Sequence, residues 1–141
     1  MSTNSTIAIK LKTGKVMAVY CHWDGYTEHN GKILAESYDV AKTKELMALG
    51  DLSILGRDIG EKHDFDADAS GWCKAYGRDR GEDGVAAQTF DSAQKMARSY
   101  GNSFTYMLDE ETGVWKLSTN EGRSWVDLKK AVKKALKSET S

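Results

Sequence analysis

The sequence predicts an α+β fold: one domain over residues 1–141 with a mainly antiparallel sheet, an amino-terminal β-hairpin, a helical pair, a later hairpin and a carboxy-terminal amphipathic helix. Three observations carry this. Apolar residues alternate with period two near the amino terminus, and two regions each carry a pair of strand-like runs about a glycine turn. Capping residues stand before runs with helical apolar spacing. The two kinds of segment are interspersed in the order ββ, αα, β(β), α, ββ, α, which favours helices laid on an antiparallel sheet.

Ser2 to Thr6 is polar and is expected to fray, with residues 1–5 and 138–141 as flexible ends. Ile7, Ile9 and Leu11 alternate with Ala8, Lys10 and Lys12, and Thr13-Gly14 supplies a turn. Val16 to Trp23 is the second strand of this hairpin. Thr27 is placed to cap a first helix that ends near Ser37 and buries Ile33 and Leu34. Asp39 caps a second helix that closes at Gly50. Leu52, Ile54, Leu55 and Ile59 are read as a short turn or helix against the core. Lys62 to Ser70 is acidic and is expected to be an exposed loop.

Trp72 to Tyr76 reads as a third strand, followed by a loop over Gly77 to Glu82. Ala86 to Phe90 reads as a short fourth strand. Asp91 is expected to cap a helix that runs to Tyr100 and stops at Gly101. Phe104–Leu108 and Val114–Ser118 flank a turn centred on Asp109 to Gly113. A last helix starts at Ser124 or Asp127, with Leu128, Val132 and Leu136 on one face and lysines on the other.

Composition bounds the function. The chain has 141 residues, 20 basic and 21 acidic side chains and no proline. No apolar run approaches the roughly 20 residues needed to cross a bilayer, and no secretory leader pattern is present. A net charge of −1 argues against a protein that coats nucleic acid. The charge is uneven: residues 126–141 carry +3 and the rest of the chain −4. Cys21 and Cys73 have no CxxC spacing and read as buried free thiols. A nucleophilic Cys21 beside His22 is the sharper alternative, but neighbours on a strand face opposite ways.

Two segments concentrate functional side chains. Tyr20-Cys21-His22-Trp23-Asp24-Gly25-Tyr26-Thr27-Glu28-His29 packs two imidazoles, two carboxylates and three aromatics into a strand-to-helix junction. His22 and Asp24 share a face if the strand continues, so the carboxylate could orient the imidazole. In Tyr76-Gly77-Arg78-Asp79-Arg80-Gly81-Glu82, two guanidiniums flank Asp79 and offer a planar fork to phosphate or carboxylate. Asp64-Phe65-Asp66-Ala67-Asp68 begins like a calcium loop but fails at the glycine and terminal glutamate positions. His63 completes no metal-ligand spacing. No metal and no cofactor is expected.

Several runs together carry a family likeness: Ser5-Thr6-Ile7-Ala8, Tyr20 to Tyr26, Gly31-Lys32-Ile33-Leu34, Ala48-Leu49-Gly50-Asp51-Leu52-Ser53 and Arg78-Asp79-Arg80-Gly81-Glu82. They resemble a family of small bacteriophage and plasmid proteins that also occurs in actinobacterial genomes. The likeness spans Met1 to Phe90 clearly and the Phe104–Trp115 hairpin loosely. Its motifs mark the family and not a reaction. The resemblance implies an accessory protein of the host cytoplasm, acting on a host protein or on a defence signal.

The expected function is therefore binding of a host protein or a small nucleotide-like anion. His22, Trp23, Asp24 and Tyr26 would stack on and orient the ligand, and Arg78, Asp79 and Arg80 would hold its anionic group. The alternative is a small hydrolase or nuclease with His22 as base, Asp24 as its partner and Arg78 or Arg80 as anion stabiliser. Neither a membrane nor nucleic acid is an expected partner, and a homo-oligomer is compatible with both readings.

Overall fold

The computed structural model describes residues 3–140, with side chains through residue 137. The expected flexible residues 1, 2 and 141, and the side chains of 138–140, lie outside the described residues. β1 (Ser5–Lys10) and β2 (Val16–Cys21) form the first hairpin. Ser5 and Thr6 are fully buried, so the expected fraying does not extend to them. The reason is position: β1 is the central strand, antiparallel to β2 on one side and parallel to β6 (Phe104–Asp109) on the other. Both neighbours supply backbone partners, and the ladder begins at Ser5 opposite Cys21 and Phe104.

The sheet runs β4-β3-β2-β1-β6-β7-β8. β7 (Trp115–Ser118) is antiparallel to β6, and β8 (Val126–Asp127) to β7. On the other side β3 (Leu52–Ile54) lies parallel to the end of β2, β4 (Lys74–Ala75) is antiparallel to β3, and β5 (Gln88–Phe90) pairs with the beginning of β2. The fold is α+β with a mainly antiparallel sheet, as the sequence predicts.

Two layers of apolar side chains cover the sheet. On one face Ile7, Ile9, Val19, Tyr106 and Leu108 meet Ile33 and Leu34 of α1 (Lys32–Ser37), Leu46 and Met47 of α2 (Val40–Leu49), and Leu128 and Val132 of α5 (Leu128–Thr140). On the other, Ala8, Val16, Ala18 and Met107 meet Met96 and Ala97 of α4 (Ala93–Tyr100). Alternate strand residues therefore serve opposite cores, which is the period-two pattern of the sequence made physical.

Local chemistry shifts several expected boundaries. Leu52–Ile54 is a strand rather than a turn or helix, because the Asp51 carboxylate accepts the Tyr20 N–H at 2.9 Å and locks this segment beside β2. Tyr76–Arg80 is a short helix, α3, rather than a loop: the Asp79 carboxylate reaches back to the Ala75 N–H at 2.8 Å, and Gly81 ends the turn in the left-handed region. Ser92, not Asp91, caps α4, its hydroxyl accepting the Lys95 N–H. Thr27 does not cap α1. It is buried beside the Tyr106 phenol, and Thr27–Gly31 forms a π-helical turn that runs into the helix. Asp39 caps α2 and Gly101 closes α4 as expected.

Candidate functional site

The site lies where β2 and β3 end. His22 and Trp23 donate their N–H groups to the Leu52 and Ser53 carbonyls at 3.0 Å, carrying the ladder past Cys21. Asp24 then takes a positive φ of 57°, and the chain swings into the π-helical turn. Asn30 is fully buried and pins this corner, its amide donating to the Trp23 carbonyl at 3.1 Å. The Tyr106 hydroxyl donates to the Gly25 carbonyl at 2.6 Å from across the sheet. Buried polar groups with such partners make a rigid corner.

Opposite it, the stretch after β3 lies flat against the segment that leads into β4. Asp58 donates to the Gly71 carbonyl at 3.0 Å, and Cys73 donates to the Asp58 carbonyl at 2.9 Å. Two glycines permit this approach. A Cβ on Gly56 would stand 2.4 Å from the Trp72 carbonyl carbon, and one on Gly60, which has a φ of 74°, would stand 2.5 Å from the indole. The Cys73 thiol is buried under this contact, between the Tyr38 hydroxyl at 3.2 Å and the Gly56 N–H at 3.3 Å. Burial raises its pKa and pushes that of Cys21 up to about 12, so neither is an activated nucleophile.

Between the two walls is a cleft of about 340 Å³. Asp24 and His29 line it from the first corner, Arg57 and His63 from the loops after β3, and Trp72 and Lys74 from the run into β4. Arg57 is anchored by the Glu36 carboxylate at 2.9 Å and the Ser37 hydroxyl at 2.8 Å. Lys74 holds its ammonium 5.3 Å over the Phe65 ring and has no carboxylate partner among the described residues. His63 is edge-on to Trp72, with ring centroids 5.7 Å apart.

The structure separates the residues that the sequence singles out. Asp24 lines the cleft, but its nearest imidazole is His29, at 4.0 Å, not His22. The strand does not continue through Asp24, so the shared face required for a His22–Asp24 pair is not formed. His22 instead holds the Tyr20 hydroxyl at 2.8 Å through Nδ1. Trp23 and Tyr26 are the exposed aromatics of this corner, at 43% and 36%. Trp23 stands against His22 and Tyr26 against His29.

Arg78 does not present a fork to solvent. Its guanidinium engages Asp79 and donates to the Ile59 and Cys73 carbonyls, both at 2.8 Å. The Asp79 side chain is fully buried. Burial acts to raise its pKa, but hydrogen bonds from Arg78, Ala75 N–H and His63 N–H together hold it below the ordinary carboxylate value. Arg80 lies over the Tyr76 and Phe65 rings and pairs with Glu82. The two blocks are thus linked to one cleft, through Asp24 on one side and through the support that Asp79 gives His63 on the other.

Sequence reading misses His29, Arg57, His63, Trp72 and Lys74 as a group. They come from three separate stretches of the chain, the corner after β2, the loops after β3 and the run into β4, and no motif spacing joins the three. The signal in the sequence is the pair Gly56 and Gly60 on either side of Arg57-Asp58-Ile59, which marks close backbone approach better than it marks a helix. Among the described residues, no group of three or more His, Cys, Asp or Glu side chains is placed to hold a metal ion. No helix among them is long and apolar enough to cross a membrane. No protein-family model, curated protein or solved structure matches the chain.

Proposed function

We propose that this chain is a phage-encoded accessory protein that captures a small, anionic, nucleotide-like ligand in the cleft between Asp24 and Lys74. The observation that carries the reading is Lys74, a cation without a carboxylate partner among the described residues, which together with Trp72 lines a cleft of about 340 Å³. A cleft of this size suits a small molecule. Lys74 and Arg57 supply charge for an anionic group, and Trp72 supplies an apolar wall for a base or ring. The family likeness supports the accessory role, and the two buried, unactivated thiols favour binding over covalent chemistry.

Calorimetric titration with the four common nucleoside 5′-monophosphates, and with inorganic phosphate, tests the reading. At least one nucleotide should bind more tightly than about 1 mM, with quenching of tryptophan fluorescence. Lys74→Ala should weaken that binding by about tenfold, the worth of one charge-assisted hydrogen bond. Absence of heat and of quenching with every nucleotide overturns the reading. So does native mass spectrometry of the protein from expressing cells, if it shows a bound protein and no small molecule.

A further inference from the structure

His63 carries an unused hydrogen-bonding atom. Its Nδ1 lies 2.7 Å from the Glu61 carbonyl oxygen, which can only accept, so Nδ1 bears the proton. Its backbone N–H donates to Asp79 Oδ1 at 3.1 Å, and Nδ1 lies 3.4 Å from the same oxygen. Trp72 flanks the ring edge-on. The imidazole is thus fixed in place while its side chain is only 11% exposed. Nε2 has no partner in the protein and is closed off from solvent, so a ligand donor reaches it only by displacing the side chains that cover it. In the neutral tautomer this atom is an acceptor, and a buried acceptor left empty is unfavourable.

We infer that His63 Nε2 is the ligand-reading acceptor of the cleft: it takes a hydrogen bond from an O–H or N–H that the bound anion carries. This rests on the cleft being the ligand site proposed above. The ligand class narrows accordingly to phosphate esters that also bear hydroxyl or amino donors, as nucleoside monophosphates do. Lys74 answers the charge, and His63 answers the donor. Asp79 and Arg78 are positioning residues, because they touch His63 and the backbone around it but do not line the cleft.

The experiment is nitrogen-15 NMR of the His63 ring at neutral pH, without and with adenosine 5′-monophosphate, beside calorimetry on two variants. The free protein should show a protonated Nδ1 and an unprotonated Nε2. The nucleotide should move the Nε2 resonance towards that of a hydrogen-bonded acceptor. His63→Leu should weaken nucleotide binding by about tenfold, and His63→Gln, which keeps an acceptor, should recover most of it. The thermal transition of each variant establishes that it is folded. The opposite tautomer, or an imidazolium, in the free protein overturns the proposal whether or not any nucleotide binds. Nucleotide binding that responds to Lys74→Ala, but leaves the Nε2 resonance and the His63→Leu affinity unchanged, overturns it while the cleft reading stands. Absence of binding by the wild type overturns both.

Discussion

Arg78 and Arg80 stand two residues apart and do unlike work. Arg78 is largely buried, its side chain 15% exposed, and joins three segments, through Asp79, the Ile59 carbonyl and the Cys73 carbonyl. Arg80 is half-exposed, lying on the Tyr76 and Phe65 rings. Removing one partner of a buried ion pair costs about 3–5 kcal/mol, because the other charge is left uncompensated. An exposed ion pair or cation–π contact is worth about 1 kcal/mol or less. Arg78→Met should therefore lower the denaturant midpoint severely, and Arg80→Met only slightly. Equal losses in urea unfolding would contradict this assignment. The charge pattern Arg78-Asp79-Arg80 shows that a guanidinium–carboxylate pair is available, but not which arginine is turned inwards. That choice is made by carbonyls 5 and 19 residues away in the chain. For the same reason His63 carries no mark in its own neighbourhood: its orienting carboxylate lies 16 residues away.

At the scale of elements, what is legible in the sequence follows from how local its cause is. β1 declares itself by alternation, because the large Ile7 and Ile9 face one core and the small Ala8 the other. Asp39 and Gly101 declare the ends of their helices, because a cap acts within one turn. β3 does not declare itself: three residues are too few for a period, and it is held as a strand by Tyr20 and Cys21, some thirty residues earlier. The start of α4 is the instructive near miss. Asp91 and Ser92 are both good caps by type, and Asp91 is taken up by Lys15 and Lys95. Ser92→Ala should lower stability by about 1 kcal/mol, the usual worth of a cap. Asp91→Ala loses only exposed ion pairs and should cost less. Thermal or urea unfolding of the two variants side by side measures the difference, and a larger loss for Asp91→Ala would move the cap back by one residue.

For the whole molecule, two carboxyls make opposing contributions to acid sensitivity, beside Asp91 and Glu110, whose pKa values hydrogen bonds from lysines lower. Burial raises the Asp51 pKa in the folded protein, although the Tyr20 N–H partly offsets this. Asp79 is lowered, because hydrogen bonds from Arg78, Ala75 and His63 overcome the effect of burial. As pH falls, the unfolded chain protonates Asp79 first, near the ordinary value of about 3.9. Its stabilising contribution is therefore complete above about pH 5 and is lost as pH drops through the lower, folded value. Asp51 has the reverse sign: the folded state takes up its proton first, so its ionised form is a cost at neutral pH that is relieved on acidification. Asp79→Asn should destabilise the protein strongly at pH 7, and the penalty should shrink as pH falls below the unfolded-state value of about 3.9. Asp51→Asn keeps an acceptor for the Tyr20 N–H and should raise stability at pH 7, with the gain shrinking towards pH 4. Urea unfolding of both variants between pH 3 and pH 7 reads the two slopes. An Asp79→Asn midpoint equal to the wild type at pH 7 would mean that the buried network under the cleft does not hold the β3–β4 end of the sheet together. In that case the rigid setting of His63 would need another cause.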